Sequence, residues 1–276
     1  MLFLQAAVSV LRETWAYRDL LRNLVVRDLK VRYKRSVLGF AWSFLNPLFM
    51  VLIFTVVFTV IAKAQNVPNY PLFALCGLLA WNFLAGSISG AARSIVGNAH
   101  LIDKVYFPRE LLPISVVLSN LINFVLSLVV FFALLLLFRV PLSWWIVTLP
   151  VLIAVQFVLV VGLALIVAAL NVFYRDVEHV LDVGLLAWFF LTPIFWELEL
   201  LPNKITLPWS DFGIDVWLLE YRLNPMASLV TDYRYVLLYD YGIIRHTVVP
   251  LAIGLVCLVV GWYFFRRNAH RFAEEI

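Results

Sequence analysis

Residues Val25–Phe49 read VVRDLKVRYKRSVLGFAWSFLNPLF. Between Arg27 and Arg35, five cations (Arg27, Lys30, Arg32, Lys34 and Arg35) and one acid (Asp28) crowd into nine residues. Charge then stops until Lys63. A basic run feeding a long uncharged run is the pattern of a helix entering a bilayer from its inner face. About 20 apolar residues cross about 30 Å of hydrocarbon, and Lys and Arg collect on the cytoplasmic flank. This junction sets the fold class and orients the chain.

The rest of the sequence agrees. Of 276 residues, 64% are apolar and 14% charged, against roughly 45–50% and about 25% in soluble domains. That much apolar surface needs lipid as part of its solvent. The net charge of +4 is small, and the cations sit beside apolar runs, so no nucleic-acid partner is expected. Cys76 and Cys257 lie in apolar runs far apart in sequence and read as buried thiols. The start, MLFLQAAVSVLRETW, lacks the cationic lead and long apolar run of a signal peptide.

The expected fold is an all-α integral membrane protein, a single transmembrane domain over 1–276 with six spans at 36–62, 70–92, 111–138, 144–170, 177–196 and 247–265. The fifth is the odd one. Only fourteen residues separate Asp182 from Glu197, so it must include Glu178 and Asp182 as a wet first turn, and Pro193 should kink or stop it. Fifteen of the 21 Lys and Arg residues then fall on the side holding both termini, which places the termini in the cytoplasm.

Ahead of the first span, residues 8–35 read as an amphipathic helix lying in the membrane interface. Leu11, Trp15, Leu21, Val25, Val26 and Leu29 share a face that Arg18 and Arg22 interrupt. A plain basic flank is the competing reading. Between spans five and six, residues 197–245 carry turn signals at Pro202, Pro208, Asn224 and Pro225 between apolar stretches. Short helices dipping partway into the membrane are expected there, forming an outer gate with Pro193 and Trp196, because irregular backbone at that depth must be covered or line a wet cavity.

What the spans lack is informative. No G-x-x-x-x-G-K-[ST] loop is present to bind a nucleotide, no His/Cys set has metal-ligand spacing, and no acid or base sits near a span centre, as an ion-coupled carrier would usually need. The polar residues inside the spans are amides, Asn46, Asn82, Asn120, Asn123 and Gln156, which read as helix-to-helix hydrogen bonders. Two cytoplasmic stretches are rich in side-chain handles: Asn98–Ser115 (NAHLIDKVYFPRELLPIS), which overlaps the 93–110 loop, and Asn171–Asp182 (NVFYRDVEHVLD).

These stretches, with the basic junction, LTPIFW and LNPMASLVTDYR, occur in an order that resembles the ABC-2 type permeases, specifically the branch exporting O-antigens, teichoic acids and related glycans. The resemblance implies a homodimer in a bacterial or archaeal cytoplasmic membrane. It also implies two separate ATP-binding subunits that hold ATP and Mg, a polyprenyl-linked glycan as cargo, and no catalytic residue, metal or cofactor on this chain. By position it assigns ATPase coupling to His100, Asp103, Lys104, Tyr106, Phe107, Arg109 and Glu110, with Arg175, Asp176 and His179 from the second stretch. Arg27, Lys30, Arg32, Lys34 and Arg35 would hold the interface helix at lipid phosphate, Arg32 and Arg35 also meeting a diphosphate headgroup. Among 43 aromatic residues, Trp42, Trp81, Phe83 and Trp188 are the candidates for a sugar-lined channel. Rival readings are an ABC-2 permease for a drug or plain lipid, a membrane-embedded lipid-sugar transferase, and an ion-coupled carrier.

Overall fold

The computed structural model describes residues 16–33, 41–57, 69–102, 107–197, 204–206, 213–215, 223–242 and 247–275. Asp103, Lys104, Tyr106, Lys34, Arg35 and Pro202 lie outside them, as does the Arg32 side chain.

Helix α1 (Arg18–Tyr33) precedes α2 (Trp42–Phe54), α3 (Tyr70–Ala92), α4 (Leu111–Leu137), α5 (Leu149–Phe173) and α6 (Val177–Leu191). A two-stranded ribbon, α7 (Pro225–Arg234) and α8 (Val248–Asn268) complete the order. Among the described residues, four helical stretches are long and apolar enough to cross a membrane: Tyr70–Ala92, Leu111–Leu137, Trp144–Phe173 and Val248–Glu275. The chain is a multi-pass membrane protein. Two apolar helices are shorter. Trp42–Val57 carries Pro47, which has no N–H to give to the Ser43 carbonyl. Helix α6, at 15 residues, is about 22 Å long and stops before Thr192–Pro193.

The most enclosed span is α3, which packs on α2, α4, α5, α6 and α7. Leu72, Ala74, Leu75, Leu84, Ala91 and Ala92 on it are fully buried. Its apolar residues run all round rather than along one stripe, the composition of a helix surrounded by protein. Helices α5 and α8 form the closest pair. A Cβ added to Gly162 would collide with the backbone of Cys257 and Leu258, so only glycine lets the two backbones touch, the small-residue packing typical of membrane helices.

Helix α1 lies against α4. Leu24 and Val25 are buried there, and Ser119 and Ser115 of α4 reach the Val25 carbonyl and the Asp28 carboxylate, each at 3.4 Å. Of the expected apolar face, Leu11 and Trp15 lie outside the described residues; among the rest, Val26 is exposed and Leu24 takes its place on the packed face. Arg27 pairs with Asp28 at 3.0 Å, and Lys30 is exposed.

The segment 197–245 corrects the purely helical expectation. Lys204–Thr206 pairs antiparallel with Gly213–Asp215, in the register Ile205 opposite Ile214. β-Branched residues flanking Pro208 and Gly213 favour a ribbon over a helix. Helix α7 follows with all ten residues buried. Asn224 caps it, accepting from the Met226 and Ala227 amides at 3.2 and 3.3 Å, and Pro225 supplies a first residue with no N–H to satisfy.

Candidate functional site: the basic end, the buried α7 segment and the aromatic wall

At the basic end of the bundle, three chain segments are tied together. Glu178, in the first turn of α6, accepts from Arg93 at 2.9 Å and from Asn171 at 3.2 Å; Asn171 also donates to the Ala92 carbonyl at 2.9 Å. The end of α3, the end of α5 and the start of α6 thus meet on one carboxylate. The Arg93 pair is largely exposed and worth about 0–1 kcal/mol; the buried Asn171 amide does more to fix the geometry.

The expected coupling residues divide into two sets here. His100, Arg175, Asp176 and His179 are exposed. Phe107, Arg109 and Glu110 face inward. Phe107 is buried, and the Arg109 guanidinium donates to the Ala269 carbonyl. Glu110 is only 5% exposed and accepts from Arg266 Nη2 at 3.1 Å. Arg266 in turn lies over the Trp262 ring at 4.6 Å, and Arg271 over Phe173 at 5.1 Å. The loop before α4 is therefore clasped to the last turns of α8. Arg266 and Ala269 were not among the expected site residues. The signal for Arg266 was available: a buried acid at an apolar helix start gains from a cation partner, and the C-terminus is where spare arginines lie.

At the other end, Arg234 on α7 is buried among carbonyls. It donates to Pro193 and Ile194, both at 2.7 Å, and lies 3.4 Å from the Phe73 ring centroid. Burial pulls its guanidinium down to about 10, opposed by nearby acidic groups. Gly77 makes the room, since a Cβ there would sit 2.9 Å from Arg234 Nη2. Two residues earlier, burial pushes the Asp232 carboxyl up to about 7, against a hydrogen bond from Thr247 at 2.7 Å that lowers it. The expected gate residues surround this core. Pro193 is buried, Trp196 is half-buried, and Asn224 joins α7 to α6 by accepting from the Trp188 indole at 2.9 Å and donating to the Leu191 carbonyl at 3.2 Å. Neither Arg234 nor Asp232 was expected to be functional; the string TDYR in an apolar setting was the sign that charge is buried there.

The four aromatic candidates also divide. Trp81 packs edge-on to Trp188 and Phe189, at 5.8 and 5.6 Å, and serves the α3–α6 contact. Trp42 and Phe83 instead line a cavity of about 660 Å³ between α2, α3 and α4.

A multi-pass helical bundle, clasped at a basic end and closed at the other by a buried helix, fits what sequence comparison finds. The chain belongs to the ABC-2 type transporter family, which it matches over residues 19–212. Its relatives include the O-antigen export system permease protein RfbA of Myxococcus xanthus, 36% identical over 271 residues, 98% of this chain and 100% of that protein. Two proteins of the same description from Klebsiella pneumoniae are 33% and 31% identical, each over 93% of this chain and 94% of its relative.

Proposed function

We propose that this chain is the membrane-spanning subunit of an ATP-driven exporter that moves a lipid-linked polysaccharide of O-antigen type from the cytoplasm to the outer face. The observation that carries the reading is similarity to O-antigen export permeases along almost the whole length of both chains. The helices that suit spanning, with α2 and α6 as shorter members, make six spans. Both termini then lie in the cytoplasm, in keeping with the Lys and Arg distribution. Two copies form the passage, and two ATP-binding subunits holding ATP and Mg drive it from below.

In this scheme the exposed His100, Arg175, Asp176 and His179, with Asp103, Lys104 and Tyr106, face the ATP-binding subunit. Phe107, Arg109 and Glu110 transmit its motion inward to α8. The basic run Arg27–Arg35 keeps α1 at the level of lipid phosphate and steers an anionic headgroup. Pro193, Trp196, Pro202, Asn224 and Pro225 belong to the outer gate built around α7. The sugars travel in a wet passage while the polyprenyl tail stays in lipid, because hydroxyls cannot enter hydrocarbon without losing their hydrogen bonds.

The test is purification of the chain from its own membranes, followed by reconstitution. Co-purification of an ATP-binding subunit, and ATP-dependent appearance of a glycan on the far side of vesicles, are expected. Nucleotide turnover stimulated by drugs or simple lipids but not by glycolipid would assign another cargo. Transport without nucleotide, or sugar transfer by the chain alone, would overturn the reading.

A further inference from the structure

We infer that the cavity between α2, α3 and α4 is a saccharide subsite inside each protomer, in which Asn46, Asn82, Asn120 and Asn123 hold the hydroxyls of a neutral pyranose ring. The inference takes its biological cargo, though not its chemistry, from the export reading above.

The placement comes first. Asn82 lies close to the middle of α3, Asn120 and Asn123 near the middle of α4, and Asn46 in the first half of α2. Asn120 and Asn123 are three residues apart and so share a helix face. The four carboxamides, from three different helices, line one cavity of about 660 Å³, within the range of small-molecule sites.

Gln156 shows what a structural amide looks like in this bundle. It is 0% exposed; its Nε2 donates to the Ala80 carbonyl at 2.7 Å and its Oε1 accepts from the Tyr233 hydroxyl at 2.9 Å. Asn46 and Asn82 are the opposite case. Both are exposed on the cavity wall, and among the described residues neither makes a hydrogen bond. A carboxamide left without partners in hydrocarbon is costly, so this cavity faces water or a polar ligand. Asn120 donates to the Val116 carbonyl at 3.0 Å, which fixes how its amide is turned.

The chemistry of the lining then selects the ligand. Among the described residues, no Asp, Glu, Lys, Arg or His lines the cavity, so this lining is not that of an ion or phosphate site. A lipid tail has no use for four carboxamides. A carboxamide offers two donors and an acceptor on one planar group, which matches neighbouring hydroxyls, each both donor and acceptor. The apolar wall matches too. Phe83 and Phe124 stack at 5.3 Å with their rings 8° apart, and Trp42 stands 44% exposed at the side. These give flat faces for the C–H side of a sugar ring.

The experiment uses the full chain in lipid nanodiscs and follows Ser127→Cys, a cavity-wall position that leaves all four asparagines in place. A charged, water-soluble methanethiosulfonate should label it about tenfold faster than Val129→Cys on the exposed side of α4, because the thiolate forms only where water reaches. Maltoheptaose should slow that labelling about threefold once its concentration is about twice its dissociation constant. Polyethylene glycol of equal mass should leave it unchanged, and Asn46→Leu with Asn82→Leu should abolish the protection. Labelling as slow as at Val129→Cys would mean a dry cavity, one closed by a second copy included, and would overturn the proposal. So would equal slowing by both polymers, or none by maltoheptaose. If the double leucine variant does not assemble, the Ser127→Cys measurements still decide. Normal glycan export by an assembled double leucine variant would remove the subsite and leave the export reading intact. Sugar protection in a chain that exports no glycan would do the reverse.

Discussion

The Glu110 carboxylate and the Arg266 guanidinium, 156 residues apart in sequence, meet at 3.1 Å. With the Arg109 bond to the Ala269 carbonyl beside it, this pair makes the loop before α4 and the end of α8 one mechanical piece. Arg266→Ala strands a buried carboxylate, whereas Glu110→Ala with Arg266→Ala removes both charges. A double-mutant cycle by thermal unfolding in detergent should return a coupling of about 0.5–3 kcal/mol. In the proposed exporter, complexes containing variants that still assemble should keep the partner's ATP hydrolysis but export poorly. Additive effects on stability would show that the pair does not hold the loop.

Arg234 fastens the buried α7 helix to the Pro193 and Ile194 carbonyls and to the Phe73 ring. Arg234→Met orphans the Pro193 and Ile194 carbonyls, each costing about 1–3 kcal/mol when buried without a donor. Gly77→Ala presses on the same guanidinium and should destabilise by a smaller amount. Expression and melting temperature in detergent report both, and an Arg234→Met protein as stable as the parent would refute the assignment.

Asp232 gives the same helix a dependence on pH. Burial raises its carboxyl from the ordinary 3.8 to about 7, so the folded state keeps a proton that the unfolded chain would release. The stability linked to that proton is full below about pH 4 and declines as pH rises towards and through 7. Asp232→Asn should flatten the profile and raise the melting temperature at pH 8, by about 2–4 °C for each kcal/mol relieved. A melting temperature that climbs from pH 5 to pH 8 in the parent but not in the variant would reverse the sign and defeat this account.

Asn224 caps α7 and holds the Trp188 indole with the same oxygen. Asn224→Ala loses the cap, at about 0.5–2 kcal/mol, and releases Trp188, whose fluorescence should change. Asn224→Ser keeps a capping oxygen and should recover most of the stability without recovering the indole bond. Identical behaviour of the two variants would mean that the cap contributes nothing.

Spanning helices α3, α4, α5 and α8 were legible because a charge-free run of bilayer length admits few other structures. Charged residues, Arg93, Glu110 and Arg175, marked the ends of three of these runs. The ribbon at Ile205 and Ile214 was not legible, since two three-residue strands leave no periodicity to read. Side-chain fate was hidden for a different reason. Gln156 and Asn82 look alike in sequence, and only the neighbours brought by distant segments make one a strut and the other an open wall. The same applies to Arg109, which reads as a surface handle until Ala269 arrives beside it.

Because Gly162 brings α5 against the backbone of α8 with no side chain between, these two spans have no lubricating layer and cannot slide past one another. In the proposed exporter, a tug delivered to the end of α8 through Arg266 tilts the pair as a block, and relative displacement falls to the shorter α2, weakened by Pro47, and to α6, none of whose residues is buried.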